Sequence, residues 1–177
     1  MELTLNPCTN ITSDAIGKPG QRVFYIQGTT IDQQVTLIIE KIQVQTLSAS
    51  ILQFLVDLEK NFPDLEIPSG HYSEETMRIV PPVDPLFRVG EISLAYNHES
   101  DQACVIVKEI TMDPQEAVED DDRITTVNFW CSREQIKSMA NWGLELVQKG
   151  RPICPLCHEP ISPDGHFCPK KNGHNRH

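Results

Sequence analysis

A chain of 177 residues, 39% hydrophobic and 23% charged, can bury a real core and suits one domain of ordinary size plus a small appendage. The formal net charge of −10 repels nucleic acid at long range, so a nucleic-acid partner is disfavoured. The sequence has no apolar run of about eighteen residues, which argues against a membrane-spanning helix, and Met1-Glu2-Leu3-Thr4-Leu5 lacks the basic start and apolar stretch of a secretory leader, so a cytoplasmic setting is expected.

Residues 2–6 alternate weakly through Leu3 and Leu5 and predict a first strand. Residues 8–20 hold Thr, Asn, Ser, Asp, Gly and Pro and read as a loop. Residues 22–27 and 35–40 are rich in β-branched and aromatic side chains and predict two strands joined by a turn over 28–33. Apolar residues then recur three and four apart at Val44, Leu47, Ile51, Phe54 or Leu55, and Leu58, the pattern of an amphipathic helix over 42–60. Five prolines and Gly70 make 61–85 a long surface loop, with a short helix expected at 73–78. Within it His71, Glu74 and Glu75 are titratable.

Residues 87–96 and 103–110 predict a hairpin whose polar tip carries His98, Glu99 and Asp101, and such a connection demands turn formers there. The acidic run 116–122 lacks the glycine and terminal glutamate of a calcium loop and reads as solvated. Residues 124–131 form the last expected strand. Ser132 and Gln135 then make a capping box, and Ile136, Met139, Ala140, Gly143 and Val147 mark the buried face of a second helix, with Gly150 just past its end. Two helices and a mainly antiparallel sheet give an α+β fold over 1–150, with both helices on one face and a faint twofold ββα echo. Cys104 and Cys131 read as small buried hydrophobes.

Residues 151–177 are different. Ile153, Leu156, Ile161 and Phe167 are the only sizeable apolar side chains, too few for a core, so this stretch needs a metal to hold a shape. Cys154 and Cys157 form a C-x-x-C, which brings two thiolates to one ion from a single turn. Pro163-Asp164-Gly165 predicts a reverse turn that folds His166 and Cys168 back over them. If residues 166–168 are extended, His166 and Cys168 face the same side and Phe167 points away, free to pack on the body. The set is therefore Cys154, Cys157, His166 and Cys168 around a structural Zn2+, in a zinc-ribbon-like or zinc-knuckle tail packed on the last helix. His174 is the alternative fourth ligand. Prolines and the lack of helical period argue against a thioredoxin-like redox pair. Residues 149–177 carry five basic against two acidic side chains, a mildly basic tip on an acidic body.

Several stretches together resemble a known family. They are Val35-Thr36-Leu37-Ile38-Ile39-Glu40-Lys41 before a helix, Phe87-Arg88-Val89-Gly90 before a strand ending Leu94-Ala95-Tyr96, Gly150-Arg151-Pro152-x-Cys154-Pro155-Leu156-Cys157, and Gly165-His166-x-Cys168-Pro169-x-x-Asn172-Gly173. The resemblance is to an uncharacterised bacterial family, catalogued as a conserved domain of unknown function, and it covers essentially the whole chain. In that family the element matching His166–Cys168 recurs, whereas the position of His174 is often not histidine. The resemblance thus implies His166 as ligand. This sequence has His158 where the family tends to have glycine. The family's genes often accompany a histidine-phosphatase-like and a kinase-like protein, which implies a role beside phosphate chemistry. No catalytic residue is carried over.

The sequence has no phosphate-binding Gly loop and no nucleophile–base pair, so a non-enzymatic, zinc-stabilised adaptor with a protein partner is the leading expectation. An enzyme using His71, Glu74 or Glu75 under a 61–85 lid is one alternative. Nucleic-acid binding through Lys170, Lys171 and Arg176 is another.

Overall fold

The β-branched and aromatic stretches fold as strands: β1 (Glu2–Leu5), β2 (Asn10–Ile16), β3 (Val23–Thr29), β4 (Gln34–Ile39), β5 (Pro85–Asn97), β6 (Gln102–Glu109) and β7 (Thr126–Ser132). They form one sheet in a computed structural model that describes residues 1–111, 124–150, 154–158, 161 and 166–172. The order across the sheet is β1-β7-β6-β5-β4-β3-β2. Two antiparallel meanders, β2-β3-β4 and β5-β6-β7, lie side by side and are joined by the parallel pair β4–β5. The first strand returns to pair parallel with the last, Leu3 opposite Val127.

Each meander is followed by a helix, α1 (Lys41–Asn61) and α2 (Arg133–Gln148). The fold is α+β, as the sequence predicts. Helix α1 buries Val44, Leu47, Ile51, Leu55 and Leu58, the face that the three-and-four spacing marks. Each of these side chains contributes about 1.5–3 kcal/mol of burial. Helix α2 starts at the predicted capping box: Gln135 N–H donates to Ser132 Oγ at 3.1 Å, and Ser132 N–H to Gln135 Oε1 at 2.8 Å. The helices pack on each other at Gly143, where an added Cβ would sit 2.3 Å from Ser48 Oγ and 3.4 Å from Val44 Cγ1.

The sheet is strongly curled. Phe129 of β7 reaches Gly28 of β3 across the core, and the Leu5 side chain lies against the same glycine. The link from β1 to β2 spans the gap between the sheet's two ends: Cys8 N–H donates to Trp130 O at 2.8 Å and Thr9 N–H to Thr29 O at 2.7 Å. Gln33, in the β3–β4 turn, donates to Thr4 O of β1 at 3.4 Å.

Residues 8–20 are not a continuous loop, because β2 occupies seven of them. The strand carries polar residues on the face opposite the helices. Ile11 and Ser13 face the core and α2, while Thr12 and Asp14, both buried, meet the segment that follows α1. Thr12 Oγ1 donates to Met77 O at 2.6 Å, and Asp14 accepts from Ile79 N–H and from Arg78. Turn-forming residue types are tolerated in this strand because another stretch of backbone satisfies them.

That stretch, 61–85, is a strap. It first runs along α2: Glu134 accepts from Ser69 N–H at 2.7 Å and Gly70 N–H at 2.8 Å, Lys137 donates to Pro68 O, Ser138 to His71 O, and Asn141 to Gly70 O. It then rounds the β2 edge, where Asn10 donates to Thr76 O. The expected helix at 73–78 is a single 3-10 turn, Glu75–Met77. Finally the strap crosses the outer face, where the buried Gln27 exchanges hydrogen bonds with Val80 N–H and O. A sheet edge wrapped in this way is protected from pairing with another chain.

Candidate metal centre

The tail's described residues form two short pieces. Residues 155–157 turn, and His158 N–H donates back to Cys154 O at 2.8 Å. His158 leaves the turn with φ of 62°. The second piece, 166–168, has no regular structure and runs directly into a four-residue helix, α3 (Pro169–Asn172). Pro169 opens that helix, where its missing N–H costs nothing.

These pieces bring Cys154, Cys157, His166 and Cys168 together, with their ligand atoms all within 4.8 Å of one another. Cys154 Sγ lies 3.8 Å from Cys168 Sγ, and Cys157 Sγ lies 3.3 Å from His166 Nε2. In a tetrahedral zinc site with bonds of about 2.3 Å to sulfur and about 2.0–2.1 Å to nitrogen, two sulfurs are about 3.8 Å apart and a sulfur and a nitrogen about 3.5 Å. Three sulfurs and one imidazole in this arrangement are a donor set suited to a metal ion. Cys154 and Cys168 are buried, at 4% and 5% exposure, while Cys157 and His166 are half-buried. Backbone N–H groups of Cys157 and Leu156 hold the Cys154 thiol down to about 6, from an ordinary value near 9. A thiolate is the form a metal binds.

His174 and His177 lie outside the described residues, as does the Pro163-Asp164-Gly165 turn. Phe167 does not pack on the body. It is 75% exposed, and Leu156 on the first piece is 48% exposed. With ligand candidates on both sides of it, Phe167 has little freedom to swing inward.

The other cysteines take no part in this cluster. Cys8, Cys104 and Cys131 are buried and free. Burial pushes the Cys104 thiol up to about 12, and Cys131 is raised by its hydrogen bond with Cys8 and by burial. The raised thiols of Cys104 and Cys131 are inert packing groups.

The titratable residues of the strap do not converge on a cleft. His71 is exposed, and its backbone carbonyl is held by Ser138. Glu74 pairs with Arg78 and with Lys149 at 3.0 Å, and Lys149 also pairs with Glu145 at 2.8 Å. Arg78 and Lys149 both lie over the ring of the buried Trp142, whose Nε1–H donates to Ser13 O at 2.7 Å. Glu75 is exposed in the 3-10 turn.

At the hairpin tip Asp101 is structural. Both its oxygens bind Arg133, at 2.6 and 2.9 Å, and Tyr96 donates to it at 2.7 Å. His98 stacks on Phe62. Glu99 caps the same turn through its N–H to Asn97 Oδ1 at 2.9 Å. Nothing in the sequence marks the Asp101–Arg133 pair, because its partners are 32 residues apart. Lys170 is exposed, whereas the side chain of Lys171, all of Arg176 and the acidic run 116–122 lie outside the described residues.

A family model described as "Protein of unknown function (DUF3090)" matches residues 4–168. The chain belongs to the DUF3090 family. The match runs from β1 to Cys168 and so takes in all four residues of the cluster. No curated protein matches the chain, and no solved structure matches it. No helix among the described residues is long and apolar enough to cross a membrane.

Proposed function

We propose that this member of the DUF3090 family is a non-enzymatic binding or adaptor protein whose tail is pinned by one structural Zn2+. Cys154, Cys157, His166 and Cys168 are the ligands. The observation that carries this reading is the convergence of three cysteines and one histidine, with Cys154 and Cys168 sulfurs 3.8 Å apart. Four donors complete a tetrahedron and leave no position for water, which favours a structural over a catalytic role. Residues 151–177 then act as a small unit of their own, ordered by metal-binding free energy of about 10–16 kcal/mol rather than by a core.

An adaptor needs a surface, and the tail offers one. Leu156 and Phe167 stand exposed on the two pieces that the ion would clamp. A partner protein that covers them would bury apolar area at a site held rigid from beneath. The reading of 61–85 as the lid of an active site finds less support, because hydrogen bonds to Glu134, Lys137, Ser138 and Asn141 tie the strap down. The acidic balance of the chain also weighs against nucleic acid.

The test is elemental analysis of the purified chain beside Cys154→Ser and Cys168→Ser. About one zinc per wild-type chain, lost in both variants together with protease resistance of the tail, supports the centre. A metal-free wild-type chain with an equally resistant tail overturns it. For the adaptor role, cross-linking of the intact protein in its host should capture a partner that Phe167→Ser, still loaded with zinc, fails to capture.

A further inference from the structure

The four members of the cluster differ in their access to solvent. Cys154 and Cys168 are almost fully buried, whereas Cys157 is half-buried and sits in the same turn as the exposed Leu156. Three thiolates and a neutral imidazole around a divalent ion sum to −1, so the sulfurs keep nucleophilic character that a neutral centre would lack. Any small electrophile therefore meets Cys157 first.

Resting on the metal reading above, we propose that the Cys154/Cys157 pair is a thiol–disulfide switch. A hydroperoxide closes it, and closing it opens the metal centre. The Cys157 thiolate attacks one peroxide oxygen, the O–O bond breaks, and hydroxide leaves, giving a sulfenic acid on Cys157. The Cys154 thiolate then attacks that sulfur, the S–O bond breaks, and a second hydroxide leaves. Two thiolates lose two electrons to one hydrogen peroxide, and one S–S bond forms.

Cys154 is the resolving partner because both cysteines belong to one turn, closed by the His158 N–H to Cys154 carbonyl bond. Their pairing needs no movement of the 166–168 piece. Only His166 and Cys168 then remain as donors, too few to retain the ion. The two halves of the tail come apart, and Leu156 and Phe167 cease to form one surface.

The experiment treats the zinc-loaded chain with hydrogen peroxide and follows metal release with a chromophoric chelator, then maps disulfides by mass spectrometry. The expected result is release of the bound zinc with a Cys154–Cys157 link, reversed when a thiol reductant and zinc are added. Cys157→His, which keeps a fourth donor without the accessible sulfur, should hold zinc and release it at least roughly tenfold more slowly. Zinc content before peroxide separates the two claims. A chain with no metal fails the underlying reading. A loaded chain that keeps its zinc under peroxide, or whose link joins Cys154 to Cys168 instead, overturns the switch.

Discussion

Gly28 of β3 lies directly against the ring of Phe129 of β7, although three strands separate them in the sheet. A Cβ at position 28 would sit 2.3 Å from Cδ1 and 2.4 Å from Cε1 of that ring. Phe129 is fully buried and has nowhere to retreat. Gly28→Ala is therefore expected to destabilise the fold by about 1–3 kcal/mol, as overpacking does. For a chain of this length that lowers the melting temperature by about 2–4 °C per kcal/mol. Phe129→Leu should relieve part of the loss, so a double-mutant cycle in urea should show coupling between the two sites. Strict additivity would mean that the sheet is less curled than described.

The strap depends on Glu134. Its carboxylate gathers Ser69 and Gly70 N–H groups and the Ser69 hydroxyl, and those bonds hold its pKa below the usual carboxylate value. A depressed folded pKa stabilises above the unfolded value and is lost as pH falls through the folded one. Glu134→Ala should cost about 1–2 kcal/mol at pH 7. Amide exchange at Ser69 and Gly70 should speed up, and proteolysis within 61–72 should begin before the sheet unfolds.

The Asp101–Arg133 pair makes a similar but separable prediction. The Arg133 side chain is 9% exposed and that of Asp101 is 49% exposed. Arg133 first, opposed in part by burial, holds the Asp101 pKa below its ordinary value. Asp101→Asn should therefore cost about 1–2 kcal/mol, less than a wholly buried pair because solvent screens the carboxylate. The wild type should lose this contribution as pH falls below about 4, and the variant should show a flatter stability profile across that range. Urea midpoints at pH 7, 4 and 3 give both values.

The metal-free tail carries its own titration. The Cys154 thiol, held at about 6 by two backbone N–H groups, should ionise well below Cys104, whose pKa is about 12. Thiolate absorbance near 240 nm in the apo chain should begin to rise near pH 6, below the range of an ordinary thiol. Its loss in Cys154→Ala identifies the group. Since thiolates bind metal and thiols do not, zinc affinity should fall steeply as pH drops through the same range.

How much of this was legible in advance depends on distance along the chain. The capping box at Ser132 and Gln135, the buried face of α1 and the hairpin from β5 to β6 are written in residues a few positions apart, and local pattern finds them. The gathering of Cys154, Cys157, His166 and Cys168 was legible for the same reason, since its ends lie only 14 positions apart in the chain. Strand β2 was not. Its polar side is satisfied by Met77, Arg78 and Ile79, more than sixty residues away, and no local signal distinguishes a hydrogen-bonded Asp14 from a solvated one. The exposure of Phe167 was missed because an aromatic residue is expected to find a core.

The pairing of β1 with β7 has a consequence for biosynthesis. Glu2 sits opposite Thr126 and Leu5 opposite Phe129, so β1 has no strand to dock on until the ribosome has produced β7, more than 120 residues later. Until then Leu5 waits without the Phe129 ring beside it, and the curl that brings that ring to Gly28 cannot close. Vectorial synthesis thus leaves the first strand for one of the last steps, and a bulky amino-terminal fusion would be felt there before anywhere else.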